Sequence, residues 1–249
     1  TGVAKLVYNT SNWGVLKTNG EFHIGGNGQG SYMGLASSAA TALIANGGLA
    51  LTLSGVSKIV PASHGWFAIK TNGEMWYTGY NAPYFTATQA SNTWRKLSVG
   101  DDDWHDITSY TSCLAISDSG KLYTWGDNYA AQLGTGNTTD KQYATQIPSD
   151  PEDWNDCWVG RYGGWAKNTS GEMFLSTNRN MRVQSSTDGT FSQVGSDTDF
   201  EDLAIQSQTS ATMGYICFAK KGGVWHVSFG NYTQIPAGGW AGEAAVNVP

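Results

Sequence analysis

The chain has 249 residues and a formal net charge of −6, from 14 Lys and Arg against 20 Asp and Glu, and it is rich in Gly (32), Trp (11) and Tyr (12). Cations this few and this scattered cannot neutralise a phosphate backbone, and no apolar run approaches the ~20 residues that span a bilayer. Neither nucleic-acid binding nor membrane insertion is therefore expected, and the excess of glycine and aromatics over charge favours strands joined by tight turns.

In chain order, a strand is predicted over Ala4 to Asn9, followed by a hairpin from Trp13 to Ile24 that turns at Gly20. The Ala-rich stretch from Leu35 to Ala50 reads as a short helix ending near Gly47. A strand over Ser57 to Ser63, a hairpin from Trp66 to Tyr77 and an outer strand from Trp94 to Leu97 come next. The same order recurs with Asp106 to Tyr110 and the hairpin Cys113 to Thr124, then Asp156 to Tyr162 and the hairpin Gly164 to Leu175. It closes with Asp202 to Gln206, the hairpin Ile216 to Val227, an outer strand over Tyr232 to Ile235, and a last strand within Trp240 to Val248.

The turn glycines of the five hairpins, Gly20, Gly73, Gly120, Gly171 and Gly223, are spaced by 53, 47, 51 and 52 residues. A period near fifty with four strands per unit describes a propeller blade. Just past each turn stand two large residues, such as Phe22 with His23, Met75 with Trp76 and Trp225 with His226. Neighbouring strand residues point to opposite faces, so both faces of each sheet need cover, as when blades pack face to face. The expected fold is an all-β propeller of about five four-stranded blades forming one domain. The blades are bounded at roughly 1–54, 55–102, 103–152, 153–198 and 199–238, with 239–249 as an exit or closing strand.

The run Leu122 to Gly136 (LYTWGDNYAAQLGTG) resembles the signature of the regulator of chromosome condensation repeat, and Gly26 to Gly34 (GNGQGSYMG) is a looser copy. Lys58 to Ile69 (KIVPASHGWFAI), followed by the Asn72-Gly73 turn, is similar to the family's other recurring half. The resemblance implies a β-propeller whose functions range over small-GTPase exchange factors, β-lactamase inhibitors and interaction modules. Those propellers usually have seven blades, so five leave Trp240 to Val248 and Ala4 to Asn9 competing for one strand position. The expected outcomes are an outgoing C-terminal strand or an open ring covered by something else. Because the sequence opens on Thr1, a processed chain or part of a longer polypeptide is also expected.

Twelve of the twenty acidic residues fall in three equivalent loops, 101–106, 150–156 and 197–202. Shared phase puts these loops on one rim, and Asp101, Asp102, Asp103, His105, Asp150, Glu152, Asp153, Asp197 and Asp199 are the candidate binding residues, suited to a basic partner or cations. Trp94, Trp165 and Trp240 are the candidate aromatic contacts, as platforms for a cell-surface glycan. His23 and His226 sit at equivalent strand positions and read as core histidines, and Cys113, Cys157 and Cys217 as buried free thiols. The glycine-rich stretch 25–30 lacks the helix and acid of a nucleotide loop. No catalytic residue, metal site or cofactor is expected.

The sequence thus points to a non-enzymatic binder of protein partners, one that sits within a large assembly. Low charge and the Gly/Ser/Thr/Asn/Trp-rich composition further suggest a virion or extracellular surface component such as a phage tail fibre. A glycan-binding propeller and an exchange-factor-like regulator are the alternatives.

Overall fold

The computed structural model describes residues 2–8, 12–26, 53–62, 65–79, 91–98, 103–148, 153–177, 189–194, 198–206, 216–229 and 245–246. The predicted helix between Leu35 and Ala50, the outer strand over Tyr232 to Ile235 and most of the glycine-rich stretch lie outside them. Among the described residues no helix is long and apolar enough to cross a membrane.

Blade 1 is formed by β1 (Val3–Tyr8), β2 (Asn12–Lys17) and β3 (Phe22–Gly26), and blade 2 by β4 (Val56–Ala62), β5 (Gly65–Lys70), β6 (Met75–Gly79) and β7 (Ser91–Lys96). Blade 3 comprises β8 (Trp104–Ser109), β9 (Ser112–Ser117), β10 (Leu122–Gly126) and β11 (Lys141–Gln146). Blade 4 comprises β12 (Trp154–Val159), β13 (Gly164–Asn168), β14 (Met173–Ser176) and β15 (Ser192–Gln193). Blade 5 comprises β16 (Phe200–Gln206), β17 (Ile216–Lys221), β18 (Val224–Phe229) and β19 (Ala245–Val246). Each sheet is an antiparallel meander, and from blade 1 through to blade 5 successive first strands meet, so these strands are innermost in a ring of five blades.

The hairpin turns explain the glycines. In blade 1 the Lys17 N–H donates to the Glu21 carbonyl at 2.8 Å and the Gly20 N–H to the Lys17 carbonyl at 2.9 Å, with Gly20 at φ +79°. A side chain is disfavoured at that angle. The same pattern closes blades 2, 3 and 4 at Lys70 and Glu74, Ser117 and Lys121, and Asn168 and Glu172.

Blade 5 differs. Its turn has only two residues, Gly222 and Gly223, between the paired Lys221 and Val224. This slides β17 by one position against an alignment made on the last glycine, so Ala219, not Phe218, is the counterpart of Val15, Ala68, Ala115 and Ala166. The C-terminal piece also departs from expectation, because Ala245 and Val246 pair with His226 and Trp225 as the outer strand of blade 5. That placement satisfies the otherwise open hydrogen-bonding edge of β18.

Every first strand carries a register shift at the same place, between Val3 and Lys5, Val56 and Lys58, Trp104 and Asp106, Trp154 and Asp156, and Phe200 and Asp202. The extra residue twists the strand locally. It also sets the two faces of a blade, here termed leading (toward the preceding blade) and trailing (toward the next).

The core lies between blades. Leu16 and Phe22 on the trailing face of blade 1 pack on Val56, Ile59, Trp66 and Ala68. Phe67, Ile69 and Met75 of blade 2 meet Trp104, Ile107, Ala115 and Trp125 of blade 3. Leu114, Ile116 and Leu122 of blade 3 pack on Trp154, Cys157 and Ala166 of blade 4. Trp165, Met173 and Leu175 of blade 4 then meet Phe200, Leu203 and Ala219. Alanine in the middle of the leading faces of blades 2 to 5 lets the sheets close on the large side chains opposite, each worth about 1.5–3 kcal/mol when fully buried.

Candidate functional site

The meander places two kinds of segment at one end of the ring, the hairpin turns and the residue that leads into each first strand. They are tied together. Thr18, Thr71, Asp118 and Thr169 donate their N–H groups to the carbonyls of Gly2, Gly55, Asp103 and Asp153. Ties to the preceding blade run from the Trp104 N–H to the Gly73 carbonyl at 2.8 Å and from the Trp154 N–H to the Gly120 carbonyl at 3.0 Å. Asp103 and Asp153 thus occupy equivalent, backbone-locked positions, and Asp199 precedes Phe200 in the same way. Blades 1 and 2 carry Gly2 and Gly55 there, so acid gathers on the sector of blades 3 to 5.

Asp153 accepts a hydrogen bond from the Thr169 hydroxyl at 3.3 Å, and Asp199 lies 3.4 Å from the Lys221 ammonium. His105, the extra residue of the β8 register shift, is half exposed with Nδ1 3.8 Å from Asp118. Among the described residues no three His, Cys, Asp or Glu converge as a metal site. Asp101, Asp102, Asp150, Glu152 and Asp197 lie outside the described residues. On the turns, Glu74 accepts from the Trp76 indole N–H at 3.1 Å and lies 3.3 Å from Lys96; these contacts and Asn72 hold its carboxyl down at about 2.

The aromatic candidates need correction. Trp165 is buried between blades 4 and 5, because its position in β13 points to the trailing face, and no glycan can stack on it. Trp94 is half-buried with its ring 6.1 Å from Phe22 in an edge-on contact. Trp240 lies outside the described residues. His23 is half-buried, 3.5 Å from Glu21, and His226 occupies the equivalent register position opposite Ala219. Cys113 and Cys157 are buried free thiols, and burial pushes the Cys157 thiol up to about 12.

Two features escaped the sequence reading. The first is an ionic ladder formed by the residues just after the register shifts, Lys5, Lys58, Asp106, Asp156 and Asp202. Lys58 of blade 2 bridges to Asp106 of blade 3, and Lys167 pairs with Asp156 at 2.7 Å while donating to the Glu201 carbonyl of blade 5 at 3.1 Å. Burial, and to a lesser degree Lys5 nearby, holds the Lys58 ammonium below its ordinary range. No sequence signal marks these positions, which only the register shifts bring into line.

The second lies at the opposite end of the ring. The loop from β10 to β11 is organised by buried Asn128, whose Nδ2 donates to the carbonyls of Asn137 at 2.8 Å and Thr139 at 3.1 Å, while Oδ1 accepts from the Leu133 N–H at 3.0 Å. Gln132 accepts from the Ala130 N–H and donates to Ser112, and the Ser176 hydroxyl of blade 4 donates to the Ala131 carbonyl at 2.6 Å. Beside this loop Tyr129 donates to the Arg161 carbonyl at 3.0 Å, packs edge-on against Tyr162, and receives the Arg161 Nε–H at 3.3 Å. The Arg161 guanidinium lies 5.3 Å from the centre of the Tyr162 ring, within cation–π range.

The sequence pattern of the regulator of chromosome condensation (RCC1) repeat matches residues 119–160, which hold most of the β9–β10 turn, the Asn128 loop and all of β12. The human and mouse E3 ubiquitin-protein ligase HERC2 are each 32% identical over 99 residues, covering 37% of this chain and 2% of those proteins. Among solved structures, Prp20p from Saccharomyces cerevisiae, described with its binding to Gsp1p and histones, superposes at a TM-score of 0.63 with 15% identity. The match covers 80% of this chain and 52% of that one. Human WBSCR16 gives 0.62 with 18% identity, covering 81% of this chain and 55% of that one. The chain therefore spans about half the length of its solved relatives and a small part of its curated ones. With five sheets in a ring, one matched repeat and these neighbours, the chain is an RCC1-like β-propeller.

Proposed function

We propose that the chain is a non-catalytic protein-binding module whose recognition surface is the end of the ring bearing the hairpin turns. The observation that carries this reading is the locking of Asp103 and Asp153 to the turns by backbone hydrogen bonds, which holds acidic side chains on a preorganised surface. Preorganisation reduces the entropy cost of docking, and a field of one sign steers a partner of the other. The partner that fits is a basic protein segment. Fold likeness to Prp20p, a binder of histones and Gsp1p, supports a protein partner of this kind.

The test is titration of a lysine-rich peptide into the chain at low and high salt. Replacing Asp103, Asp153 and Asp199 together by Asn should weaken binding by about tenfold and flatten its salt dependence. Equal affinity for wild type and triple variant would remove the surface from consideration.

The setting we infer is a larger particle, a surface or virion component such as a tail fibre, on the strength of the low charge and Gly/Trp-rich composition. The uncovered apolar strand of blade 1, with Leu6 and Tyr8 exposed, supports an assembly of some kind. Light scattering on the native source decides it: a free monomer of 26.7 kDa would sink the reading. The exchange-factor alternative draws on the likeness to Prp20p and is tested by nucleotide release from a small GTPase with and without the chain.

A further inference from the structure

Blade 1 breaks the rule that the other blades keep. In register, Leu6 is the counterpart of Ile59, Ile107, Cys157 and Leu203, each at most 3% exposed, yet Leu6 is 69% exposed. Val3 is 59% exposed where Val56, Trp104, Trp154 and Phe200 are buried. Tyr8 and Trp13, paired across β1 and β2, are exposed on the same face. Among the described residues the leading face of blade 1 is thus an inter-blade surface without its neighbour, and contiguous apolar surface of this kind marks an interaction site.

Four interfaces within the chain show what covers such a face, namely the trailing face of another blade. Blade 5 has a trailing face to offer. Trp225 is the counterpart of Phe22, Met75, Leu122 and Met173, all fully buried, and it is only half-buried. The ionic ladder adds a matching charge. Where blade 2 presents Lys58 to Asp106 of blade 3, a step from blade 5 to blade 1 sets exposed Asp202 against exposed Lys5.

We propose that the leading face of blade 1 docks the trailing face of blade 5 of a second copy of this chain, in a head-to-tail contact with Leu6, Tyr8 and Trp13 at its centre and Lys5 facing Asp202. The two surfaces differ, so the contact is heterologous and propagates into dimers and longer rows unless it closes. It does not depend on the acidic surface at the hairpin end.

Light scattering and sedimentation from micromolar to hundreds of micromolar chain test it. The wild type should associate with rising concentration. Leu6→Lys should stay monomeric with unchanged circular dichroism, since the side chain is exposed in the monomer. Lys5→Glu and Asp202→Lys should each weaken association by about tenfold, and mixing the two variants should restore a dimer. A wild type that is monomeric throughout, or Leu6→Lys chains that associate like wild type, would overturn the proposal. So would a mixture no stronger than its parts, because closure of blade 5 on blade 1 within one chain cannot be rescued by mixing. Peptide binding at the acidic end is read separately and is expected to be unchanged in Leu6→Lys.

Discussion

Replacing Asn128 by alanine removes one side chain and four hydrogen bonds from the β10–β11 loop. The two Nδ2 hydrogens are shared among three acceptors, the Thr135 hydroxyl and the carbonyls of Asn137 and Thr139; the fourth contact is accepted by Oδ1 from the Leu133 N–H. Asn137 and Thr139 are exposed, so their carbonyls can turn to water, whereas Leu133 is fully buried and its N–H is left unsatisfied. At about 1 kcal/mol net for a typical bond and about 1–3 kcal/mol for a stranded buried donor, the loss comes to about 3 kcal/mol. In a chain of this size each kcal/mol moves Tm by about 2–4 °C, so thermal melting followed by circular dichroism should fall by about 6–12 °C. Thr135→Val removes one acceptor of Asn128 and one long, exposed bond donated to Asn137 Oδ1, and should lose about a third of that. Hydrogen exchange at the Leu133 amide should speed in step with the Asn128 variant. A Tm within about 2 °C of wild type, or an unaltered Leu133 amide, would refute the claim that this side chain holds the loop.

Gly164→Ala puts a Cβ 2.2 Å from the Gln132 carbonyl of the same loop, where neither backbone can yield cheaply, and should cost about 1–3 kcal/mol in chemical denaturation. A neutral result would mean that the Asn128 loop is not seated on blade 4. Cys113 and Cys157 should resist alkylation at pH 8, because burial disfavours both thiolates and blocks access, and should react only after denaturant unfolds the blades. Labelling of either thiol at the rate of a free peptide cysteine would contradict the packing of blades 3 and 4.

The repeat was legible because two elementary demands recur together, a glycine at positive φ and large residues just beyond it. Gly20, Gly73, Gly120 and Gly171 all sit near +80°, as a three-residue turn requires. The first strands start one to two residues before the expected positions, at Trp104 instead of Asp106 and at Trp154 instead of Asp156, because polar His105 and Asn155, with the acids around them, look like loop. The register shift places those acids inside the strand, and nothing in residue type marks an extra residue that is Ala4, Ser57, His105, Asn155 or Glu201 in turn. The slide in blade 5 was hidden for a related reason, since two adjacent glycines fit either turn length. Alternation alone does not say which face meets a neighbouring blade, so it does not tell an exposed platform from the buried Trp165.

The backbone ties from Trp104 to the Gly73 carbonyl and from Trp154 to the Gly120 carbonyl have a directional consequence. The hairpins of blades 2 and 3 thus serve as templates on which the next unit begins. Damage to the Gly73 turn should therefore propagate toward the C-terminus, loosening blade 3 before blade 1. Construction on a ribosome would follow the same order, every finished unit offering a start point to the one that emerges after it.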